Sequence, residues 1–213
     1  MEHTNTNSKQ KQMKSPRLFS RKSTVFLQSP AILRMAEYGI RFFLGAILAS
    51  GTLLDSCIPF GLGFLGASGP GLSGFFSLLG CCVGYFFTLS FSVSLKYIAA
   101  SILIFAVSFA FFDVRLYQKA WFMPLLTGLL TAATGFVYLP EQGFGVRTFI
   151  LFFTEVLIAG SSTYFYKIAF SPWTEPSDEE LTRQQVVAIL IFCMSLLATL
   201  SHVELPGHMQ KTA

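Results

Sequence analysis

Charged residues are scarce in this chain. Asp, Glu, Lys and Arg make up 12% of its 213 residues, whereas about a quarter of the residues of ordinary soluble domains are charged. Apolar residues make up 53%. This composition excludes a soluble globular domain and predicts a polytopic membrane protein. The chain has room for six or seven spans of about 20 residues. Because no space remains for a catalytic domain outside the membrane, we expect no enzymatic activity.

Patterns that bind metals or activate nucleophiles are also missing. The four cysteines lie in or beside apolar runs, and the three histidines are scattered near the chain ends. Zinc sites need Cys or His at close, repeated spacings, and neither a nucleotide-binding loop nor a nucleophile elbow occurs. The sequence therefore predicts no catalytic residue, no metal and no cofactor. The residues concerned are Cys57, Cys81, Cys82, Cys193, His3, His202 and His208.

Basic charge is concentrated at the amino terminus, where residues 1–34 contain a single acid, Glu2. Such a composition predicts a disordered cytoplasmic tail that serves topology rather than nucleic-acid binding. A signal peptide cleaved near Ala46–Ser50 is disfavoured, because the basic region is too long and apolar sequence resumes at Leu53. The basic residues before the first apolar run include Lys9, Lys11, Lys14, Arg17, Arg21 and Lys22.

The stretch Ile58–Tyr85 combines a high apolar content with many glycines and two prolines. Helices in bilayers tolerate this composition, which a soluble core would not. We interpret Pro59–Ala67 as a short, broken element, followed by a tight turn and then a full span from Leu72. The predicted hinge positions are Pro59, Gly69, Pro70 and Gly71.

Gly80 and Gly84 lie four residues apart, and therefore on one face of the span that follows the turn. Small residues at this spacing let the backbone of a neighbouring helix approach closely. A single pair of this kind is common, so a glycine-rich span without any special contact is the alternative.

Long apolar segments predict an all-α transmembrane bundle over residues 35–204, followed by a short polar end at 205–213. Short connections between the segments predict antiparallel neighbours. Trp121 and Tyr138 lie near the ends of one span, as interfacial aromatic residues do. The predicted long spans are Glu37–Leu54, Leu72–Phe91, Leu95–Phe112, Ala120–Tyr138, Arg147–Lys167 and Val186–Val203.

Whether Pro59–Ala67 crosses the bilayer decides between six and seven spans. If it crosses, four basic residues of the later loops join the tail in the cytoplasm, as the positive-inside rule favours. Nine to twelve helical residues cover only about 14 to 18 Å of a roughly 30 Å core, so the crossing needs local thinning or an unwound segment shielded by neighbours. We expect seven spans. The four residues are Arg115, Lys119, Lys167 and Arg183, which leaves Lys96, Arg147 and Lys211 outside.

Seven spans and a cytoplasmic amino terminus place the carboxyl terminus outside the cell. A chain that ends a few residues after such a span, with no folded domain there, has the organisation of the front part of a longer protein. We therefore expect the protein to continue beyond Ala213.

Glu155 is the candidate for an intramembrane polar site. It lies eight residues after Arg147, about 12 Å deep in its span, and an acid at a helix centre costs roughly 2.5 to 3.5 kcal/mol on insertion scales. It is either a proton or cation site, half of an interhelical pair, or a protonated acid that bonds to a hydroxyl group. Arg41 is the only charge on another span that we expect to approach it, although Arg41 also has the position of a snorkelling anchor.

Four apolar segments occur in a particular order. These are RFFLGAILASGTLL in the first span, PFGLGFLGA in the short element, GFVY at Gly135–Tyr138 and TEVLIAG at Thr154–Gly160. A basic tail precedes them, and a polar loop and a last apolar helix follow. In this order and spacing, most of the chain beyond the tail resembles the N-terminal membrane region of stage II sporulation protein E.

The resemblance implies a multi-pass protein in the cell membrane of endospore-forming bacteria. In that family a cytoplasmic, manganese- or magnesium-dependent serine/threonine phosphatase follows the membrane region. It acts on an anti-anti-sigma factor and so activates the first forespore sigma factor. The membrane region helps to place the protein at the asymmetric division septum. The implied partners are the lipid bilayer, further copies of the chain and cell-division proteins. This chain has no counterpart of the phosphatase or of its metal-binding aspartates.

Two function classes follow. The first is a membrane scaffold that anchors and targets a sporulation regulator. The second is a small-solute transporter subunit, like the substrate-binding component of an energy-coupling-factor system, which has a similar length and number of helices. A transporter needs converging polar groups near the midplane or the outer mouth. Because Glu155 stands nearly alone, we identify no small-molecule substrate and favour the scaffold.

Overall fold

The computed structural model describes residues 30–53, 56–57, 59–115, 117, 119–142, 145–174 and 181–202. The chain divides into two units, Met1–Arg34 and Met35–Ala213. Only the start of a helix is described in the first unit. The predicted disordered tail and the polar end at 205–213 lie outside the described residues.

Seven helices and one very short antiparallel strand pair make up the described part of the chain. The strand pair joins Thr52 to Cys57 and Leu53 to Ser56. The helices are α1 Pro30–Ala49, α2 Phe60–Ser68, α3 Leu72–Thr88, α4 Phe91–Ala110, α5 Phe122–Gln142, α6 Val146–Thr174 and α7 Arg183–His202, with strands β1 Thr52–Leu53 and β2 Ser56–Cys57.

In the part of the chain that the structure describes, three helices are long and apolar enough to cross a membrane. They comprise Phe91–Ala110, Val146–Ser171 and Arg183–Ser201, while Leu72–Thr88 and Phe122–Tyr138 are shorter apolar helices. Their outward faces carry large apolar side chains such as Phe87 and Leu157, which are 82% and 68% exposed. A bundle that is apolar on its outside is suited to lipid rather than water. The protein is therefore a membrane helical bundle, as the composition predicts.

Several predicted boundaries were wrong. The first helix ends at Ala49 rather than Leu54, because the chain turns into the strand pair after Ser50 and Gly51. The break between α3 and α4 falls at Leu89 and Ser90 instead of at residues 92–94. Leu89 is extended, with φ −106° and ψ 160°, and this conformation ends α3.

Helices α1 and α3 run parallel to each other. Tyr38 stacks on Phe76 with ring centroids 5.1 Å apart, and the Cα of Gly80 packs against the backbone oxygen of Phe42. Further along, Gly84 packs against Ala46. Residue numbers rise together along both helices, so the chain must return to its starting end between them.

Helix α2 is the return segment. It begins where Gly61 contacts Ala49, and it ends where the backbone oxygen of Ser68 accepts a hydrogen bond from Arg41. It therefore runs antiparallel to α1 and α3. Residues 61–66 are all buried, so α2 forms the centre of the bundle, in contact with α3, α4, α5 and α6.

From α3 onward, each helix is antiparallel to the one before it. Tyr85 stacks on Tyr97, Ser108 donates to the sulfur of Met123, and Tyr166 donates to Ser195. We call the end of the bundle that holds the Gly69–Gly71 turn and residues 111–115 the loop end. The opposite end, where α3 gives way to α4, is the hairpin end.

Candidate functional site

A buried ion pair joins α4 to α6. Lys96 is 7% exposed, and its Nζ lies 2.8 Å from Oε2 of Glu155. Both residues enter the bundle from the hairpin end, five residues after the start of α4 and nine after the start of α6. The pair is therefore roughly 8 to 14 Å from that end, at 1.5 Å per residue.

Helix α5 packs against both α4 and α6 and carries Gly135 beside the lysine of the ion pair. A Cβ at Gly135 would stand 2.7 Å from the ring of Phe152 and 3.8 Å from Cε of Lys96. The missing side chain therefore leaves space for the phenyl ring, while a Cβ would make only ordinary contact with the lysine stem. We call this gap in the surface of α5 the notch at Gly135.

The surroundings of the ion pair give the ammonium group of Lys96 more favourable contacts than the carboxylate of Glu155. The ammonium group also lies 4.9 Å from the ring centroid of Tyr97, within cation–π range. In contrast, Oε1 of Glu155 is buried and has no hydrogen-bond partner among the described residues. Removing one member of a buried pair leaves an uncompensated charge, which typically costs about 3 to 5 kcal/mol.

The expectation that Arg41 is the only charge able to approach Glu155 was wrong, because Lys96, which we expected at the outer end of its span, pairs with that acid. Helix α4 begins at Phe91, four residues before the predicted start of the span. The earlier start places Lys96 within the helix rather than at its end. The long stem of lysine lets its ammonium group reach a carboxylate on α6 from that position.

Arg41 instead binds the carboxyl-terminal end of α2. Its guanidinium pairs with Glu37 at 2.9 Å, one helical turn earlier, and Nη1 donates to the carbonyl oxygen of Ser68 at 3.3 Å. That carbonyl belongs to the last residue of α2, where the helix dipole is negative and the backbone oxygens lack partners within the helix. Arg41 is therefore a cap for the central helix and does not contact Glu155.

The predicted hinge positions lie at the two ends of α2. Pro59 precedes the helix, and its carbonyl oxygen accepts the first hydrogen bond, from the N–H of Gly63 at 3.1 Å. Gly69 and Gly71 have φ of 75° and 97°, values that L side chains rarely adopt. Their ψ values of 178° and −165° keep the backbone extended on both sides of Pro70.

Gly80 and Gly84 form the contact face of α3 against α1. A Cβ on Gly80 would collide with the backbone oxygen of Phe42, and one on Gly84 would collide with that of Ala46. From the other side, a Cβ on Gly45 would stand 2.7 Å from the backbone oxygen of Ser77. The two helices therefore approach to backbone contact, which any larger side chain would prevent.

Glycines of α2 make similar contacts with hydroxyl-bearing side chains. Gly63 packs against Ser162, and Gly66 packs against Thr127 and Thr163. Serines and threonines at this position of the chain are expected to be helix-contact residues, and the structure gives Ser162 and Thr163 that role. Both hydroxyls also bond to the backbone of their own helix. Thr163, for example, donates to the carbonyl oxygen of Ala159 at 2.7 Å.

Among the described residues, no group of three or more His, Cys, Asp or Glu could hold a metal ion. The thiol of Cys81 donates to the carbonyl oxygen of Gly61 at 3.4 Å, joining α3 to α2. The site can therefore pair charges and fix helix positions, and the described part of the chain contains no metal-ligand set beside it.

Comparison with known proteins identifies no family for this chain, since no family model, curated protein or solved structure matches it.

Proposed function

We propose that this chain is a membrane scaffold that anchors and targets a larger sporulation regulator, and that it has no enzymatic activity of its own. The observation that carries the proposal is the closed centre of the bundle. Helix α2 fills the space between its neighbours through glycine contacts, and the two intramembrane charges of the site neutralise each other at 2.8 Å. A bundle packed in this way favours a fixed shape over the passage of a solute.

We further propose seven membrane crossings with the amino terminus in the cytoplasm. The parallel direction of α1 and α3 supports this, because two parallel spans require a crossing between them. The nine residues of α2 cover about 14 Å, which is less than the thickness of the hydrocarbon core. Because residues 61–66 are buried among the neighbouring helices, the crossing is shielded by protein, and we propose that the bilayer is locally thinned beside it.

Basic residues support the same orientation. Arg115, Lys119, Lys167 and Arg183 belong to the loop end of the bundle, at the junctions of α4 with α5 and of α6 with α7. The hairpin end holds the exposed Arg147 and the buried Lys96 among the described residues. An excess of lysine and arginine marks the cytoplasmic side, so we assign the loop end to the cytoplasm of a bacterial cell.

The sporulation role rests on the resemblance to stage II sporulation protein E. A fluorescent fusion of this chain, expressed in a sporulating endospore-former, tests it directly. We expect a fluorescent band at the asymmetric septum, while an unrelated multi-pass protein of similar size labels the whole cell membrane evenly. Even labelling by this chain as well would overturn the targeting role.

A transporter subunit is the second candidate, and the observation that favours it is the Lys96–Glu155 pair itself. Ionisable residues inside membrane bundles commonly mark proton or ion pathways. The variant carrying both Lys96→Gln and Glu155→Gln removes both charges and retains polar groups of similar size. If that variant inserts and folds normally but abolishes a solute uptake that the wild-type chain supports, the transporter replaces the scaffold.

A further inference from the structure

Residues 111–115, 117 and 119–121, at the loop end, combine exposed cations with exposed apolar side chains. Arg115 and Lys119 are exposed, and neither forms an ion pair within the described part of the chain. Beside them, Phe112, Val114 and Trp121 are 56%, 43% and 51% exposed. These side chains form a patch in which positive charge and apolar surface alternate, and we call it the loop patch.

The backbone of the loop patch is held in place by the bundle. Lys167 of α6 donates from Nζ to the carbonyl oxygens of Tyr117 and Lys119, each at 3.4 Å. Its ammonium group also lies 5.6 Å from the ring centroid of Tyr117. Turn hydrogen bonds run from the N–H of Val114 to Phe111 and from the N–H of Phe122 to Lys119. The patch is therefore a preformed surface.

The cations of this end fall into two groups. The half-buried ones are satisfied within the bundle: Arg41 by Glu37 and Ser68, and Lys167 by two carbonyl groups. Among the exposed ones, Arg115 and Lys119 belong to the loop patch, and Lys119 lies 5.8 Å from the ring centroid of Trp121. The positive charge that remains available to a ligand therefore lies beside an aromatic ring, at the edge of the apolar bundle.

One acid of the patch reduces this charge. Asp113 is exposed and belongs to neither described ion pair. Burial raises the pKa of Tyr117 to about 12, so its phenol adds no negative charge near neutral pH. Two cations against one acid leave the patch positive.

We propose that the loop patch binds the headgroups of anionic phospholipids in the leaflet at the loop end. A phospholipid combines a phosphate, which pairs with lysine and arginine, with acyl chains that contact Phe112, Val114 and Trp121. An acidic protein segment would satisfy the cations, but it would leave these apolar side chains beside the bilayer unexplained. The inference goes beyond the scaffold role, and it holds for any function of the bundle.

Quenching of the fluorescence of Trp121 by lipid provides the test of this proposal. The chain contains two tryptophans, so Trp173→Phe leaves Trp121 as the only source of indole fluorescence. The purified chain is reconstituted into nanodiscs in which either phosphatidylglycerol or phosphatidylcholine carries brominated acyl chains, which quench indole on contact. Each cation near an anionic surface contributes about 1 kcal/mol, so two cations correspond to a preference for phosphatidylglycerol over phosphatidylcholine of up to roughly 30-fold. Repulsion between Asp113 and the anionic lipid lowers this value.

We expect brominated phosphatidylglycerol to quench Trp121 severalfold more effectively than brominated phosphatidylcholine. The preference should fall towards one when Arg115 and Lys119 are both replaced by Gln. The matched control, Arg147→Gln, neutralises an exposed cation at the opposite end and should keep the preference. Raising the ionic strength should also weaken the lipid preference of the chain that keeps Arg115 and Lys119, because salt screens exposed charges. Misfolding of the double variant cannot explain that result, since this measurement does not use it. Equal quenching by the two lipids, or an unchanged preference in the double variant, would overturn the proposal.

Discussion

Lys96 and Glu155 are 59 residues apart in the sequence, yet the ammonium nitrogen and a carboxylate oxygen lie 2.8 Å apart inside an apolar bundle. Gly135 of α5 lies beside the lysine stem. The pair thus joins α4 to α6 at a level where both helices pack against α5.

Our first prediction concerns the two charges. Lys96→Gln leaves Glu155 unpaired, and Glu155→Gln leaves Lys96 unpaired, so each change should lower the free energy of unfolding by about 3 to 5 kcal/mol. The double variant should recover most of the loss, because replacing a whole buried pair is often nearly neutral. Thermal unfolding in detergent, analysed as a double-mutant cycle, measures the coupling. A Glu155→Gln protein as stable as the wild type would instead indicate a neutral, hydrogen-bonded glutamic acid.

The second prediction tests the notch at Gly135. Gly135→Ala places a Cβ 2.7 Å from the ring of Phe152, and such overpacking costs about 1 to 3 kcal/mol. Gly128→Ala, on the same helix, is the matched control, since its Cβ would make only ordinary contacts, at 3.7 Å from Val156. The two unfolding temperatures are compared directly. Equal losses would show that Gly135 has no special role.

The third prediction concerns the contact between α1 and α3. Gly80→Ala should destabilise the bundle by about 1 to 3 kcal/mol, because its Cβ collides with the backbone oxygen of Phe42, which cannot rotate away. Gly39→Ala on α1 has no heavy atom within 4 Å of the new Cβ and should be neutral or slightly stabilising. Protease resistance in detergent and the unfolding temperature provide the readout. A stable Gly80→Ala protein would contradict the parallel packing of these helices.

The fourth prediction concerns topology. Single cysteines introduced into a cysteine-free variant should be labelled by a membrane-impermeant maleimide only where they face outward. In intact cells we expect labelling at Gln142, which ends α5 at the hairpin end, and protection at Lys119, which becomes reactive when the cells are opened. Protection of a cysteine at position Gln142 in intact cells would indicate six spans instead of seven.

Much of the fold could be predicted because it depends on local properties of the sequence. Long apolar runs indicate helices in a bilayer, since every backbone polar group there needs a partner within its own segment. Proline and paired glycines indicated the ends of α2, and Gly69 and Gly71 do have the positive φ that favours glycine. Boundaries at Leu54, Ser92 and Lys167 were less accurate, because apolar residues continue through those ends.

The ion pair could not be predicted, because Lys96 resembles an end-of-span anchor when only its own helix is considered. Its partner depends on how α4, α5 and α6 pack. That packing is not a property of any one segment. The same limit applies to Arg41, whose acceptor is a backbone carbonyl of α2, a group that every residue has and that no sequence pattern distinguishes.

The sequence by itself thus determined the class of the protein, a helical membrane bundle with a short glycine-rich helix, because hydrophobicity and backbone conformation act over a few neighbouring residues. Only the tertiary structure decided that α1 and α3 are parallel, that α2 returns between them and that Lys96 neutralises Glu155. These relationships depend on contacts between distant residues. Their geometry is set when all the helices pack together around α2.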